Sequence, residues 1–368
     1  MRAGTLLALM AASSIASAQF DLSAKPPVAK KVPVPTTLHG ETRVDDYRWL
    51  QDKEAKETLA YLDAENAYAD RVLKGTEALQ KTLYDEMFGR IQQVDLAVHA
   101  YENGYWYYSR TVERVQYAVY CRRKGTMRAK EEVILDANAL AKGEQFLGIG
   151  AFNVSDDGTK LAYSVDTTGF RVYTLFIKDL RTGKLLPDRF VAVRSVQWAA
   201  DNRTLFYTTE DKAKRPHKAW RRALGASRGT LLYEEKDELY RVGLGRTLDG
   251  RYLLLSSNSA ETSETQFLDA KTPRGKFTLI EPRKFDHEYY VSHRGGLFYI
   301  RTNDQGPNFR LVTTPVSNPG KDNWKQIVAH DDAVMLDDFD LFEKFLVLSE
   351  RADGFPRLRV TDLKTWIT

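Results

Sequence analysis

The 368-residue sequence is 43% hydrophobic and 28% charged, enough for a large core and for more than one domain. Its 54 basic and 50 acidic side chains leave a net charge of only +4 with no long basic run, so nucleic acid is not an implied partner. No segment reaches about 18 uninterrupted apolar residues, which argues against a membrane-spanning helix.

The chain opens like a targeting segment. Arg2 supplies a positive start, Ala3 to Ile15 form a short apolar stretch, and Ala16-Ser17-Ala18 is an A-x-A site. The pattern predicts a signal peptide over residues 1–18, cleavage after Ala18, and a secreted or periplasmic mature protein from Gln19. Pro26, Pro27, Pro33 and Pro35 then deny a helix and favour an extended arm. Two helices follow, so residues 19–92 read as an arm with a helical pair. Ala55, Leu59, Leu62, Ala69 and Leu73 recur at helical spacing, with Asp52 placed to cap the first helix. Gly75 can end it, Thr76 can cap the second, and Leu79, Leu83, Met87 and Ile91 give the second one apolar face.

From residue 93 to 368 the texture changes. A turn followed by an apolar strand recurs six times, as in Gly104-Tyr105-Trp106-Tyr107-Tyr108, Lys160-Leu161-Ala162-Tyr163-Ser164 and Thr204-Leu205-Phe206-Tyr207-Thr208. Tyr252 to Ser256, Gly296 to Ile300 and Phe345 to Ser349 continue the series. The last turn residues fall at 104, 158, 202, 250, 296 and 344, steps of 54, 44, 48, 46 and 48. A period near ~50 with several short strands per unit predicts a β-propeller, an all-β fold. A pair of β-sandwiches also uses short strands and turns but has no reason to keep a period. A blade cannot bury both faces alone, so it is stable only between neighbours. About six blades are expected, the last barely complete and the ring left open, with exposed strand edges.

Particular residues then carry a family resemblance. Leu38-His39-Gly40-Glu41-Thr42-Arg43-Val44-Asp45-Asp46-Tyr47-Arg48-Trp49-Leu50 resembles the opening motif of the oligopeptidase B branch of the prolyl oligopeptidase family. Tyr61-Leu62 and Glu65-Asn66, Leu135 to Asn138, Leu232 to Asp237, Asp286 to Tyr289, Arg301-Thr302-Asn303 and Asn308-Phe309 follow in order along nearly the whole chain. The resemblance implies a seven-bladed propeller that caps an α/β-hydrolase domain and admits only short peptides. It implies Ser-His-Asp peptidase chemistry and, for this branch, cleavage after Lys or Arg. In that family the three catalytic residues and the acids that receive the basic side chain lie after the propeller. None can be placed on this sequence: the expected catalytic, cofactor-binding and metal residues are none, and the hydrolase domain is expected to be missing.

Several patterns invite chemistry and give little. Gly225-Ala226-Ser227-Arg228-Gly229 matches G-x-S-x-G, but a nucleophile elbow needs a buried strand before the serine and a helix after it. Arg221-Arg222 precede Ser227 and the strand-like Thr230-Leu231-Leu232-Tyr233 follows it, so a loop is expected. His39, His99, His217, His287, His293 and His330 include no helical metal-ligand spacing, and His39 is expected to tie the arm to its neighbours. Cys121, the single cysteine, cannot form an intrachain disulfide and reads as a small buried hydrophobe. Gly148-Ile149-Gly150 and Gly243-Leu244-Gly245 read as strand ends or turns, and Asp156-Asp157, Asp331-Asp332 and Asp337-Asp338 as solvated loop acids. Arg215, His217, Lys218, Arg221 and Arg222 form a basic cluster that suits an acidic partner, the absent domain, or plain solvent. The expected function is the gating propeller of a serine oligopeptidase, inactive alone, with short peptides as substrates of the complete enzyme. The rival is a free-standing periplasmic propeller that binds peptide or protein.

Overall fold

The computed structural model describes residues 20, 21 and 23–367. The signal-peptide expectation for 1–18 falls outside them. The chain divides into two compact units, which meet in sequence between Gln93 and Val94.

The amino-terminal unit begins extended. Strands Val34–Leu38 and Glu41–Asp45 then form an antiparallel hairpin. Its two-residue turn is His39-Gly40, both at positive φ (52° and 83°), the geometry that matches hairpin twist. His39 is therefore an exposed turn residue whose side chain makes no hydrogen bond or ion pair with any described residue. Trp49 ties the arm instead: its indole N–H donates to the Lys30 carbonyl at 3.0 Å. Helix α1 spans Lys56–Leu73 and helix α2 spans Glu77–Arg90, joined by a 3-10 turn at Lys74–Thr76. Neither predicted cap forms. Asp52 accepts from the Glu54 amide at 3.2 Å, and Ala55 occupies the start of α1. The Thr76 hydroxyl donates back to the Leu73 carbonyl at 2.6 Å, because the chain stays helical across the junction. Among the described residues of this unit only Thr58 and Thr76 are buried. The predicted apolar face of α2 lies exposed at Leu79, Leu83, Met87 and Ile91, beside Tyr84 and Phe88.

The second unit is six antiparallel meanders. Sheet 1 contains Ala100–Glu102, Tyr105–Arg110, Val119–Lys124 and Glu131–Asp136. Sheet 2 contains Gly148–Val154, Lys160–Asp166, Thr174–Asp179 and Leu185–Val191. Sheet 3 contains Val193–Trp198, Thr204–Glu210, Pro216–Ala223 and Thr230–Glu234. Sheet 4 contains Arg241–Arg246, Tyr252–Asn258, Ser263–Asp269 and Thr278–Glu281. Sheet 5 contains Tyr289–Arg294, Leu297–Thr302, Arg310–Pro315 and Lys325–Val328. Sheet 6 has three strands, Val334–Leu341, Phe345–Ala352 and Phe355–Asp362. Each of the six apolar runs seen in the sequence is the second strand of its sheet, and each predicted turn is the one that enters it.

The core lies between sheets. In a strand successive side chains point to opposite faces. Leu205 and Tyr207 accordingly pack with Leu175, Ile177 and Phe190 of sheet 2, while Phe206 packs with Leu253 and Leu255 of sheet 4. The same sharing joins Leu135 to Leu161 and Tyr163, Ile280 to Tyr289 and Phe298, and Leu311 to Leu346 and Leu348. Hydrogen bonds cross the same boundaries. Trp198 in sheet 3 is fully buried and donates its indole N–H to the Asn153 carbonyl of sheet 2 at 3.0 Å. First strands of successive sheets approach one another, as between sheets 2 and 3, 3 and 4, and 5 and 6, which places them as the inner ring of a propeller. The two Gly-x-Gly pairs lie within first strands of sheets 2 and 4 and not in turns. A Cβ on Gly150 or Gly243 would come within 2.6 Å of the Ser164 or Ser256 hydroxyl of the neighbouring strand, and at Gly150 also within 2.8 Å of the Tyr173 ring, so a larger residue would have to push these side chains aside.

Candidate functional site

The chemistry of this ring is concentrated at the ends of its inner strands. The first-to-second strand turns are built alike. Asp157 accepts from the Ser155 hydroxyl at 2.6 Å and the Thr159 amide at 2.9 Å. Asp249 accepts from the Thr247 hydroxyl at 2.7 Å and the Arg251 amide at 3.1 Å. Asp201 accepts from the Arg203 and Thr204 amides at 2.9 and 2.7 Å. These bonds hold the carboxyls of Asp157, Asp201 and Asp249 below the usual range although burial alone would raise them.

Fixed turns then reach across to each other. The Asp157 amide donates to Asn202 Oδ1 at 3.0 Å, and Arg294 Nη2 to the Glu343 carbonyl at 2.9 Å. His293 Nδ1 lies 2.6 Å from Asp249 Oδ2. The longest reach is Arg246, at the end of the inner strand of sheet 4. Its Nη1 and Nη2 donate to Asp156 Oδ1 and Oδ2 of sheet 2 at 2.6 and 2.8 Å, a bidentate pair that links the two neighbours of sheet 3. Asp156 is therefore a paired acid and not a solvated one. Glu102 of sheet 1 sits close enough to feel both. Its carboxyl is pushed up by desolvation first and by the Asp156 charge next, against the pull of Arg246. Charged side chains of sheets 1, 2 and 4 thus converge at one end of the inner ring.

Ser227 is exposed in the connection between the third and fourth strands of sheet 3, so strands stand on both sides of it and no helix follows. The Asp249–His293 pair has the form of an oriented base, yet His293 Nε2 is buried without a hydrogen-bond partner. His287 is buried, its Nε2 2.9 Å from the Thr302 hydroxyl, and burial pushes its pKa down. Cys121 is 1% exposed, and burial raises its thiol. Among the described residues no group of three or more His, Cys, Asp or Glu side chains is placed to hold a metal.

The charged members of the basic cluster of sheet 3 are used internally, while His217 Nδ1 is buried without a hydrogen-bond partner. Arg215 pairs with Asp211 at 3.0 Å and donates to the Asp237 and Tyr240 carbonyls. Lys218 pairs with Glu234, and Arg221 donates to the Pro273 carbonyl. Arg222 stacks on Phe190 and lies 3.6 Å from Asp188. These are ties between strands and sheets. They take the surplus charge that the sequence left available to a partner.

The residues behind the resemblance meet in space. Within Leu232 to Asp237, Glu235 is almost fully buried. It accepts from Arg283 Nη1 at 2.9 Å, the Ser257 hydroxyl at 2.7 Å, the Tyr233 hydroxyl at 2.8 Å and the Asp237 amide at 3.0 Å. Burial works against its charge, but these donors hold its pKa down at about 2. The Glu288 amide donates to Asn303 Oδ1 at 2.8 Å, and Arg301 lies over the rings of Tyr290 and Phe309. Asn308 donates to the Asp331 and Asp332 carbonyls at 2.9 and 3.0 Å. Glu235 thus joins sheets 3 and 4 and Asn308 reaches the connection from sheet 5 to sheet 6, whereas the Glu288 bond and the ring contacts of Arg301 stay within sheet 5; all of them are structural ties.

A meander ring with inter-sheet cores and an inner ring of charged strand ends defines a β-propeller domain. The family described as prolyl oligopeptidase, N-terminal β-propeller domain, matches residues 26–366, and the chain belongs to that family of serine peptidases. It is 41% identical to dipeptidyl aminopeptidase BI of Pseudoxanthomonas mexicana, over 96% of this chain and 52% of that protein. Solved structures with the same fold include oligopeptidase B from Leishmania major, with a TM-score of 0.86, 26% identity and coverage of 94% of this chain and 52% of that one. Oligopeptidase B from Trypanosoma brucei, in a closed form with covalently bound antipain, has a TM-score of 0.84 at 31% identity and covers 92% of this chain and 51% of that one. The chain spans about half the length of these relatives.

Proposed function

We propose that this chain is the gate of a serine oligopeptidase: a propeller that restricts access by size, while a hydrolase domain outside these residues supplies serine, histidine and aspartate. The observation that carries this reading is the family match over residues 26–366 together with coverage of only half of each relative. In such an enzyme the serine attacks the peptide carbonyl, histidine takes its proton and aspartate orients the histidine. The likeness to oligopeptidase B supports cleavage after Lys or Arg, and short peptides as substrates. Export with cleavage after Ala18 belongs to the same reading. No described helix is long and apolar enough to cross a membrane. Intact-mass analysis of the exported protein should find Gln19 at the amino terminus.

The test is hydrolysis of a Lys- or Arg-ended peptide ester by the 368-residue chain and by the same chain extended with the downstream coding region. Activity is expected only from the extended protein. Robust hydrolysis by the shorter chain that disappears on Ser227→Ala would overturn the assignment.

A further inference from the structure

At the opposite ends of the inner strands, away from the Asp156–Arg246 pair, lies a second concentration of charge. A cavity of about 240 Å³ is lined by Arg171, Arg194, Glu210, Lys214, Pro216 and Arg241. Arg194 and Arg241 stand near the starts of the inner strands of sheets 3 and 4. Arg171 and Lys214 come from the loops that join the second and third strands of sheets 2 and 3.

The charges do not balance. Glu210 is the only acid in the lining, and its carboxylate is 3.8 Å from Arg194. The side chains of Arg171, Lys214 and Arg241 make no hydrogen bond or ion pair with any described residue. Their neighbour Arg215, one residue from Lys214, has three partners, so the shortage of acids is local to the cavity. Like charges gathered around one space repel unless something of opposite sign enters it.

The backbone holds two of these cations in place at a cost. Arg171 and Lys214 both have left-handed φ, 57° and 63°, a region that residues with a Cβ rarely occupy. Matching acids fix the two loops. Asp166 accepts from the Thr168 and Arg171 amides at 2.9 and 2.7 Å, and Asp211 from the Ala213 and Arg215 amides at 2.9 and 3.0 Å. Two adjacent sheets thus use a carboxylate to pin a loop whose strained residue is a cation facing the same cavity. Guanidinium forks and an ammonium arranged around a small space are suited to a carboxylate.

We infer that this cavity is an anion site that receives the C-terminal carboxylate of a short peptide at the mouth of the inner ring. The peptide as ligand rests on the proposed oligopeptidase function; the anion preference rests on the cavity alone.

Calorimetric titration of the 368-residue chain with trialanine, as free acid and as C-terminal amide, tests both. The free acid is expected to bind at least about tenfold more tightly than the amide, with affinity falling as salt is raised. Arg171→Gln with Lys214→Gln should remove most of that preference without lowering the melting temperature, since neither side chain has a partner to lose. Lys212→Gln, an exposed cation in the same loop, should change nothing. If the double variant fails to fold, Arg241→Gln serves in its place with the same expected loss. Equal binding of acid and amide, no binding of either, or an equal loss in Lys212→Gln overturns the site. Inorganic phosphate bound in preference to the peptide acid overturns the peptide assignment. Binding is read without hydrolysis, so failure of the peptidase reading would appear separately, as an extended protein that binds the acid and cleaves nothing.

Discussion

The two units of this chain solve the problem of apolar side chains in opposite ways. In the sheet unit, Leu161, Leu175, Ile177, Leu205, Phe206, Leu253, Phe298, Ile300, Leu311 and Trp198 are sealed from water by neighbouring sheets. In the helical unit, α1 and α2 carry Leu59, Leu62, Leu73, Leu79, Leu83, Tyr84, Met87 and Phe88 exposed. Both units have regular backbone hydrogen bonding. What separates them is that each sheet meets a neighbour on its face, whereas α1 holds one buried residue, Thr58, and α2 none. Secondary structure can therefore be complete where burial is nearly absent. In such a unit stability rests on propensity and i,i+4 pairs such as Lys81–Asp85, each contributing only a few tenths of a kcal/mol.

That contrast can be broken by substitution. Trp198→Ala, which removes the largest sealed side chain and its bond to Asn153, should destabilise the sheet unit by about 3–5 kcal/mol in denaturant unfolding. Glu235→Gln should cost about 2–4 kcal/mol by leaving Arg283 without its counter-charge. The sign of the pH effect follows from a carboxyl held at about 2. Its contribution is fully present above the unfolded value near ~4.3 and is lost as pH falls through about 2. Wild-type melting temperature should therefore fall more steeply than that of the Gln variant between those two values. Leu83→Ala, on the exposed face of α2, should cost less than about 0.5 kcal/mol and leave the sheet-unit transition unmoved. A loss as large as that at Trp198 would erase the contrast.

The sheets were legible because their second strands carry dense aromatic and branched runs behind recognisable turns, so both the period and the fold class could be read. The first strands were not. Arg241-Val242-Gly243-Leu244-Gly245-Arg246 has two glycines and a cation at each end, which reads as a strand end or a turn. The structure makes it an inner strand, paired residue by residue with the second strand of sheet 4 from Arg241 opposite Asn258 to Arg246 opposite Leu253. The cap at Thr76 failed because a 3-10 turn keeps the chain helical between α1 and α2, and the one at Asp52 because its carboxylate accepts from Glu54 while Ala55 takes the capping position. The charged convergence of Glu102, Asp156 and Arg246 was out of reach of local reading. Asp156 and Arg246 are 90 residues apart, and the ring alone makes them neighbours. The cations at 171, 194, 214 and 241 were hidden for the same reason, while the compact run at 215–222 drew attention and proved to be internally paired.

The forked bond from Arg246 to Asp156 also has a mechanical meaning. It acts as a strap between sheets 2 and 4, the two neighbours of sheet 3. Under tension applied to the two ends of the chain, sheets 1, 5 and 6 can peel away strand by strand, each released with its own small extension. Sheets 2 to 4 cannot be opened singly until the strap parts, so in an optical trap they should give way last, as one long rip.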